Sequence, residues 1–158
     1  VSNLFKNITN IEVALDVAIS LEQYGRDFYK NQYENTNDPE LKTLLSSLAA
    51  EEEKHLGLYR DLFDKVNKSD TLQQITLPGE YGAYIDLLTS EITSILNNNI
   101  NNTINLINLS LDFEKNTLLI FNEIKDLFKD DPNQSVIIKI CNEEKKHIKK
   151  ILAYKEKI

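Results

Sequence analysis

Four stretches of this chain carry apolar residues at the 3.6-residue spacing of a helix, and glutamate interrupts each stripe near its middle. Residues 10–34 read Ile11, Leu15, Ala18, Glu22, Gly25, Tyr29. Residues 39–66 read Leu41, Leu45, Leu48, Glu52, His55, Tyr59, Leu62. Residues 102–129 read Ile104, Ile107, Leu111, Glu114, Leu118, Phe121, Phe128. Residues 132–155 read Ile137, Ile140, Glu144, His147, Ile151, Tyr154. A helical stripe of this kind faces a core. A fold that buries these four must therefore bury four carboxylates and two imidazoles with them.

The punctuation between stripes sets their order in space. Asn35-Thr36-Asn37-Asp38-Pro39 ends the first stripe, and Asp130-Asp131-Pro132 separates the third from the fourth. Pro39 suits the first turn of a helix, where a missing N–H costs nothing. Residues 67–101 form a long crossover with a Pro78-Gly79 turn. A short extra helix is expected over residues 84–96, and the Asn-rich run at 97–102 reads as a loop. Gly and Pro together number seven, 4 and 3, too few for a loop-rich or many-turned β protein. Two short connections and one long one predict a single all-α domain over residues 1–158. Its fold is a four-helix bundle of the ferritin-like type with a long crossover between the second and third helices.

The chain also repeats itself. A shift of 92 residues lays the first stripe on the third and the second on the fourth without a gap. Leu15 meets Ile107, Glu22 meets Glu114 and Tyr29 meets Phe121. Glu51-Glu52 meets Glu143-Glu144, and Lys54-His55 meets Lys146-His147. One helical hairpin is used twice, related by a pseudo-two-fold axis.

The polar positions point to metal chemistry. Four carboxylates facing one another in a core cannot all ionise without a counter-charge. Two divalent cations balance them and leave both imidazoles neutral, each with a lone pair to donate. Glu-x-x-His puts its two side chains one turn apart on one face, as a chelating pair requires. Carboxylate and imidazole suit iron, with manganese or zinc as substitutes, better than a thiolate set would. Tyr29, two turns from Glu22, can donate a hydrogen bond to a ligand carboxylate or to a bound substrate. Tyr59, one turn past His55, is a weaker candidate. Asp112, Glu51 and Glu143 adjoin the stripe residues but point away from the stripe, toward solvent or the outer side of the site. Glu80, Tyr81, Tyr84, Asp86 and Glu91 lie in the crossover with no assigned role.

Composition excludes other classes. The net charge of −7 gives no basic footprint for nucleic acid. Lys145, Lys146, Lys149 and Lys150 read as a solvated helix face near a C-terminus. No apolar run is long enough to span a bilayer, and no signal-peptide pattern opens the sequence. The single cysteine, Cys141, rules out CxxC sites within these residues and reads as a small buried hydrophobe. The expectation is a cytoplasmic protein. The absence of Met implies that the initiator was removed or lies upstream.

The segments Leu21-Glu22 to Phe28-Tyr29, Glu51-Glu52-Glu53-Lys54-His55, Phe113-Glu114-Lys115 and Glu143-Glu144-Lys145-Lys146-His147 resemble the rubrerythrin-like branch of the ferritin-like superfamily. The resemblance spans all four stripes. It implies a carboxylate-bridged di-iron site, with Glu22 and Glu114 as terminal ligands, Glu52 and Glu144 as bridges, and one nitrogen ligand each from His55 and His147. It implies reduction of hydrogen peroxide or dioxygen, with ferrous-ion oxidation for iron handling or a metal-stabilised sensing bundle as alternatives. It also implies a homodimer. Full rubrerythrins add a rubredoxin domain with paired CxxC motifs, absent here, so the electrons are expected from a separate donor such as a rubredoxin. Peroxidase-type rubrerythrins carry an extra Glu one turn after the third-stripe ligand. Thr117 stands at that position, which makes the ligand set resemble the minimal pattern shared with bacterioferritins.

Overall fold

The computed structural model describes residues 10–69 and 79–158. Among the described residues five helices follow in order: α1 (Ile11–Glu34), α2 (Pro39–Asn67), α3 (Gly79–Leu96), α4 (Thr103–Leu127) and α5 (Gln134–Lys155). The chain is all-α, and four of the helices form a ferritin-like bundle. α1 packs along α2 and α4 along α5. The two hairpins meet through α1 against α4 and α2 against α5, while α3 lies on α4.

Short polar residues set the helix starts. Asn10 accepts the Val13 N–H at 2.9 Å, and its repeat partner Asn102 accepts the Asn105 N–H at 2.8 Å. Asp38 caps α2 by accepting from Glu40 and Leu41, with Pro39 in the first turn. The second hairpin turns differently. Asp130, the counterpart of Asp38, sits at φ 65, in the left-handed region. The Asp131 side chain then accepts from Asn133 at 2.7 Å. These turn residues delay α5 to Gln134, two residues later than Pro132 suggests.

Two further expectations are corrected. The crossover helix is longer than residues 84–96, because Gly79, Glu80, Tyr81, Gly82 and Ala83 join it; Pro78 lies outside the described residues. Ile104, expected inward, is 57% exposed. α4 touches α1, α3 and α5 together, so its buried arc widens to Leu106, Ser110, Phe113, Thr117, Ile120 and Ile124, away from Ile104. Leu118 is left at the margin of that arc, half-buried.

The apolar core is divided. One cluster joins Leu15, Leu21, Tyr59, Leu62, Ile85, Phe113, Phe121 and Ile137 at one end of the bundle. A second joins Tyr29, Leu41, Leu45, Leu48, Ile107, Leu111 and Ile151 at the other. The residues between the clusters along each stripe are the glutamates and histidines. Each cluster excludes water from one side of that polar layer.

Candidate metal centre

Each bundle helix presents one carboxylate at its waist, because the acid occupies a stripe position between apolar turns. Glu22, Glu52, Glu114 and Glu144 and the imidazoles of His55 and His147 are all buried. They gather into two four-residue sets, Glu22, Glu52, His55 and Glu144, and Glu52, Glu114, Glu144 and His147, with His55, Glu144 and His147 close together between them. In each set the donor atoms lie within 4.8 Å of one another, and Glu52 and Glu144 belong to both.

The imidazoles turn Nδ1 toward the carboxylates. His55 Nδ1 lies 2.6 Å from Glu144 Oε1, 3.6 Å from Glu22 Oε2 and 3.7 Å from Glu52 Oε2. His147 Nδ1 lies 3.1 Å from Glu144 Oε2 and 3.5 Å from both Glu52 Oε1 and Glu114 Oε2. The two rings stack at 5.4 Å between centroids. On the far side of each ring, Nε2 meets a carboxylate from the other hairpin. His55 Nε2 is 2.8 Å from Glu143 Oε2, and His147 Nε2 is 2.8 Å from Glu51 Oε2. The Glu143 acceptor on His55 Nε2 fixes the proton there and leaves the Nδ1 lone pair facing the cluster, whereas the Glu51 contact with His147 Nε2 is close without hydrogen-bond geometry.

Tyr29 reaches across from α1 and donates its hydroxyl to Glu114 Oε1. Gly25, one turn after Glu22, is needed for close approach: a Cβ there would come to 2.9 Å from Phe113 Cε1 and 3.3 Å from Glu52 Cδ. Tyr59 and Thr117 are buried with hydroxyls that have no partner. Burial pushes the Cys141 thiol up to about 11, which keeps it a protonated apolar filler. Of the crossover residues, Tyr81, in the first turn of α3, is half-buried against the core cluster, while Tyr84 is 39% exposed.

Whether these residues suit a cation can be tested on their unsatisfied atoms. Both oxygens of Glu22 and Glu144, Glu52 Oε1, Glu114 Oε2, and Nδ1 of both histidines are buried without a hydrogen-bond partner. Each such atom costs about 1–3 kcal/mol if nothing compensates it. Eight of them converge on two points, and all are oxygen or imidazole nitrogen. That donor set fits two divalent ions sharing Glu52 and Glu144.

The carboxyls and imidazoles of the layer shift one another's proton affinities. Burial and the charges of Glu52 and Glu144 push the Glu22 carboxyl well up; burial and the Glu52 charge do the same to Glu114. Burial opposes charge on the histidines too, but the surrounding carboxylates hold both imidazoles well above their usual range. Glu52 and Glu144 stay ionised: burial works against them, but the Glu22 carboxyl and His147 hold Glu52 low, and the two imidazoles hold Glu144 low.

The pattern of repeated Glu doublets was the only sequence signal for Glu51 and Glu143, which the sequence left between solvent and the outer side of the site. Lys150 was missed. It is not merely a solvated charge: its Nζ donates to both oxygens of Glu51, at 2.7 and 2.8 Å, and to Ser47 at 3.2 Å.

A ferritin-like bundle with a buried carboxylate–imidazole layer able to hold metal defines the class of this protein. The Rubrerythrin family model matches residues 14–155, and the chain belongs to that family. Searches of curated proteins and of solved structures gave no significant match. No helix among the described residues is long and apolar enough to cross a membrane.

Proposed function

We propose that the chain is a di-iron carboxylate oxidoreductase that reduces hydrogen peroxide or dioxygen with electrons from a separate donor. The observation that carries this reading is the pair of donor sets sharing Glu52 and Glu144, with their unsatisfied atoms turned inward. Glu22 and His55 would hold one iron and Glu114 and His147 the other, with Glu52 and Glu144 bridging. When bound, the iron pair supplies the two electrons that cleave an O–O bond.

The chain's own residues do the rest. Glu143 orients His55 by accepting from Nε2, and Glu51 lies 2.8 Å from His147 Nε2. The two apolar clusters exclude bulk water from the layer. Tyr29 holds a proton beside the site. Burial and the Glu114 charge push its phenol well above its ordinary value, so it stays a neutral donor across the physiological range. Each peroxide consumes two electrons and two protons. The 158 residues hold one cysteine, buried at Cys141, so electrons reach the layer from outside these residues, for example from a rubredoxin.

Ferrous-ion oxidation for iron handling is the second reading. Thr117 favours it, since that position carries a small hydroxyl side chain rather than a further carboxylate. Anaerobic iron loading followed by stopped-flow mixing with peroxide or with dioxygen tests both. Fast growth of ferric near-ultraviolet absorbance with peroxide, renewed only when a one-electron donor is added, supports the first. A fast reaction with dioxygen alone, coupled to uptake of further ferrous ion, supports the second. If protein holding two irons oxidises no faster than free ferrous ion, neither stands and the metal is structural.

A further inference from the structure

The repeat makes two half-sites of the same ligand types, but their outer supports are not repeated. Tyr29 donates to Glu114; the residue 92 positions on, which would face Glu22, is Phe121, which has no hydroxyl. Both Glu22 oxygens are without a partner, whereas Glu114 leaves only Oε2 free. The same break recurs behind the imidazoles. Lys150 grips Glu51, whose Oε2 lies 2.8 Å from His147 Nε2. The counterpart of Lys150 is Leu58, and Glu143, which holds His55, pairs with no lysine among the described residues. Tyr59 does not restore the balance, because its hydroxyl donates to nothing.

Resting on the metal-centre reading above, we infer that the two half-sites bind metal unequally: the Glu114–His147 half fills first and retains its ion, and the Glu22–His55 half is the labile, exchangeable position. Outer partners that fix a ligand's orientation are worth about 10–100-fold in metal affinity. One half has such a partner on its carboxylate and a lysine-held carboxylate beside its imidazole; the other has no partner on its carboxylate and a single carboxylate, gripped by no lysine, on its imidazole. The Tyr29 hydrogen bond also draws charge from Glu114, but it engages Oε1 and leaves Oε2 for the cation.

The test is a Co2+ titration of the metal-free protein, followed by visible absorbance and calorimetry, with no turnover involved. Two binding steps are expected, separated by about 10-fold or more in Kd. Glu22→Ala should keep the tight step, and Glu114→Ala should lose it. Tyr29→Phe and Lys150→Leu should each weaken the tight step and leave the weak one in place. Equal affinities in the wild type would overturn the inference. So would a tight step that survives in Glu114→Ala and vanishes in Glu22→Ala. A separation that persists unchanged in the Tyr29→Phe, Lys150→Leu double variant comes from repulsion between the ions and overturns it as well. A folded wild-type protein that takes up no Co2+, Mn2+ or Fe2+ removes the metal-centre reading itself, a result distinct from two equal sites.

Discussion

At the scale of single residues, the buried acids decide the behaviour. The Glu22 carboxyl is pushed well above its ordinary value by burial and by the charges of Glu52 and Glu144. A raised carboxyl contributes its full stability below about pH 4.5, its unfolded value, and loses it as pH rises toward the folded value. The metal-free protein therefore carries a growing penalty at Glu22 from pH 4.5 upward, about 1.4 kcal/mol per pH unit until the folded value is reached. Glu22→Gln mimics the protonated form and should stabilise the metal-free protein at pH 8, with the gain vanishing near pH 4.5. Urea midpoints at both pH values check this, and an equal gain at both would mean that the effect is not titration of Glu22. Tyr29→Phe should act in the opposite direction on the metal-loaded protein. It leaves Glu114 Oε1 buried and unbonded, at a cost of about 1–3 kcal/mol in unfolding free energy. A change within error would place the Tyr29 hydroxyl elsewhere.

At the scale of elements, two positions show where local preference and packing disagree. In a free helix, Gly25→Ala would gain roughly 0.5–1 kcal/mol from reduced backbone entropy. Here the added Cβ meets the Phe113 ring and the Glu52 carboxyl carbon, so either α4 or a shared ligand must move. Gly25→Ala should lower both thermal stability and the amount of metal retained after gel filtration; wild-type metal content would show that Phe113 yields alone. The turn between α4 and α5 offers the reverse case. Asp130 adopts φ 65, which costs a residue with a Cβ about 1–2 kcal/mol, less for Asp. Asp130→Gly should be neutral or stabilising and Asp130→Val clearly destabilising, as read by chemical denaturation of otherwise identical samples.

At the scale of the whole molecule, metal binding and folding are linked, because the unfolded chain has no assembled layer of donors. Chelation should lower stability by RT ln(1 + [L]/Kd), about 2.7 kcal/mol when free metal had stood at a hundred times Kd. The pH dependence should invert with loading. In the metal-free bundle, His55 and His147 keep their protons above the unfolded value near 6.5, held by the carboxylates around them. Their contribution is full below about pH 6.5 and is lost as pH rises. Metal displaces those protons, so loaded protein should gain stability over the same range. Denaturation at pH 6.5, 7.5 and 8.5, with chelator and with excess metal, should give slopes of opposite sign. Parallel slopes would mean that the imidazoles do not exchange protons for metal.

Most of the architecture was legible because helical period, caps and turn residues are local. Four stripes, the 92-residue repeat and Asn, Asp and Pro at the boundaries determined four bundle helices to within about two residues. They also placed Glu22, Glu52, His55, Glu114, Glu144 and His147 on inward faces. Periodicity reports one face of one helix, so what depended on neighbours was not legible. α4 buries a wider arc than its stripe because three helices surround it, and Ile104 is left outside. Glu51 and Glu143 lie off the stripes, yet each meets the imidazole of the opposite hairpin. Lys150 reads as one more surface charge until α2 brings Glu51 to it. The sequence by itself determined which polar residues had to be buried together, since each lies on an apolar stripe. Only the tertiary structure decided which oxygen faces which nitrogen, and that one half of the repeated site is braced while the other is not, because those contacts join residues about 85 to 100 positions apart.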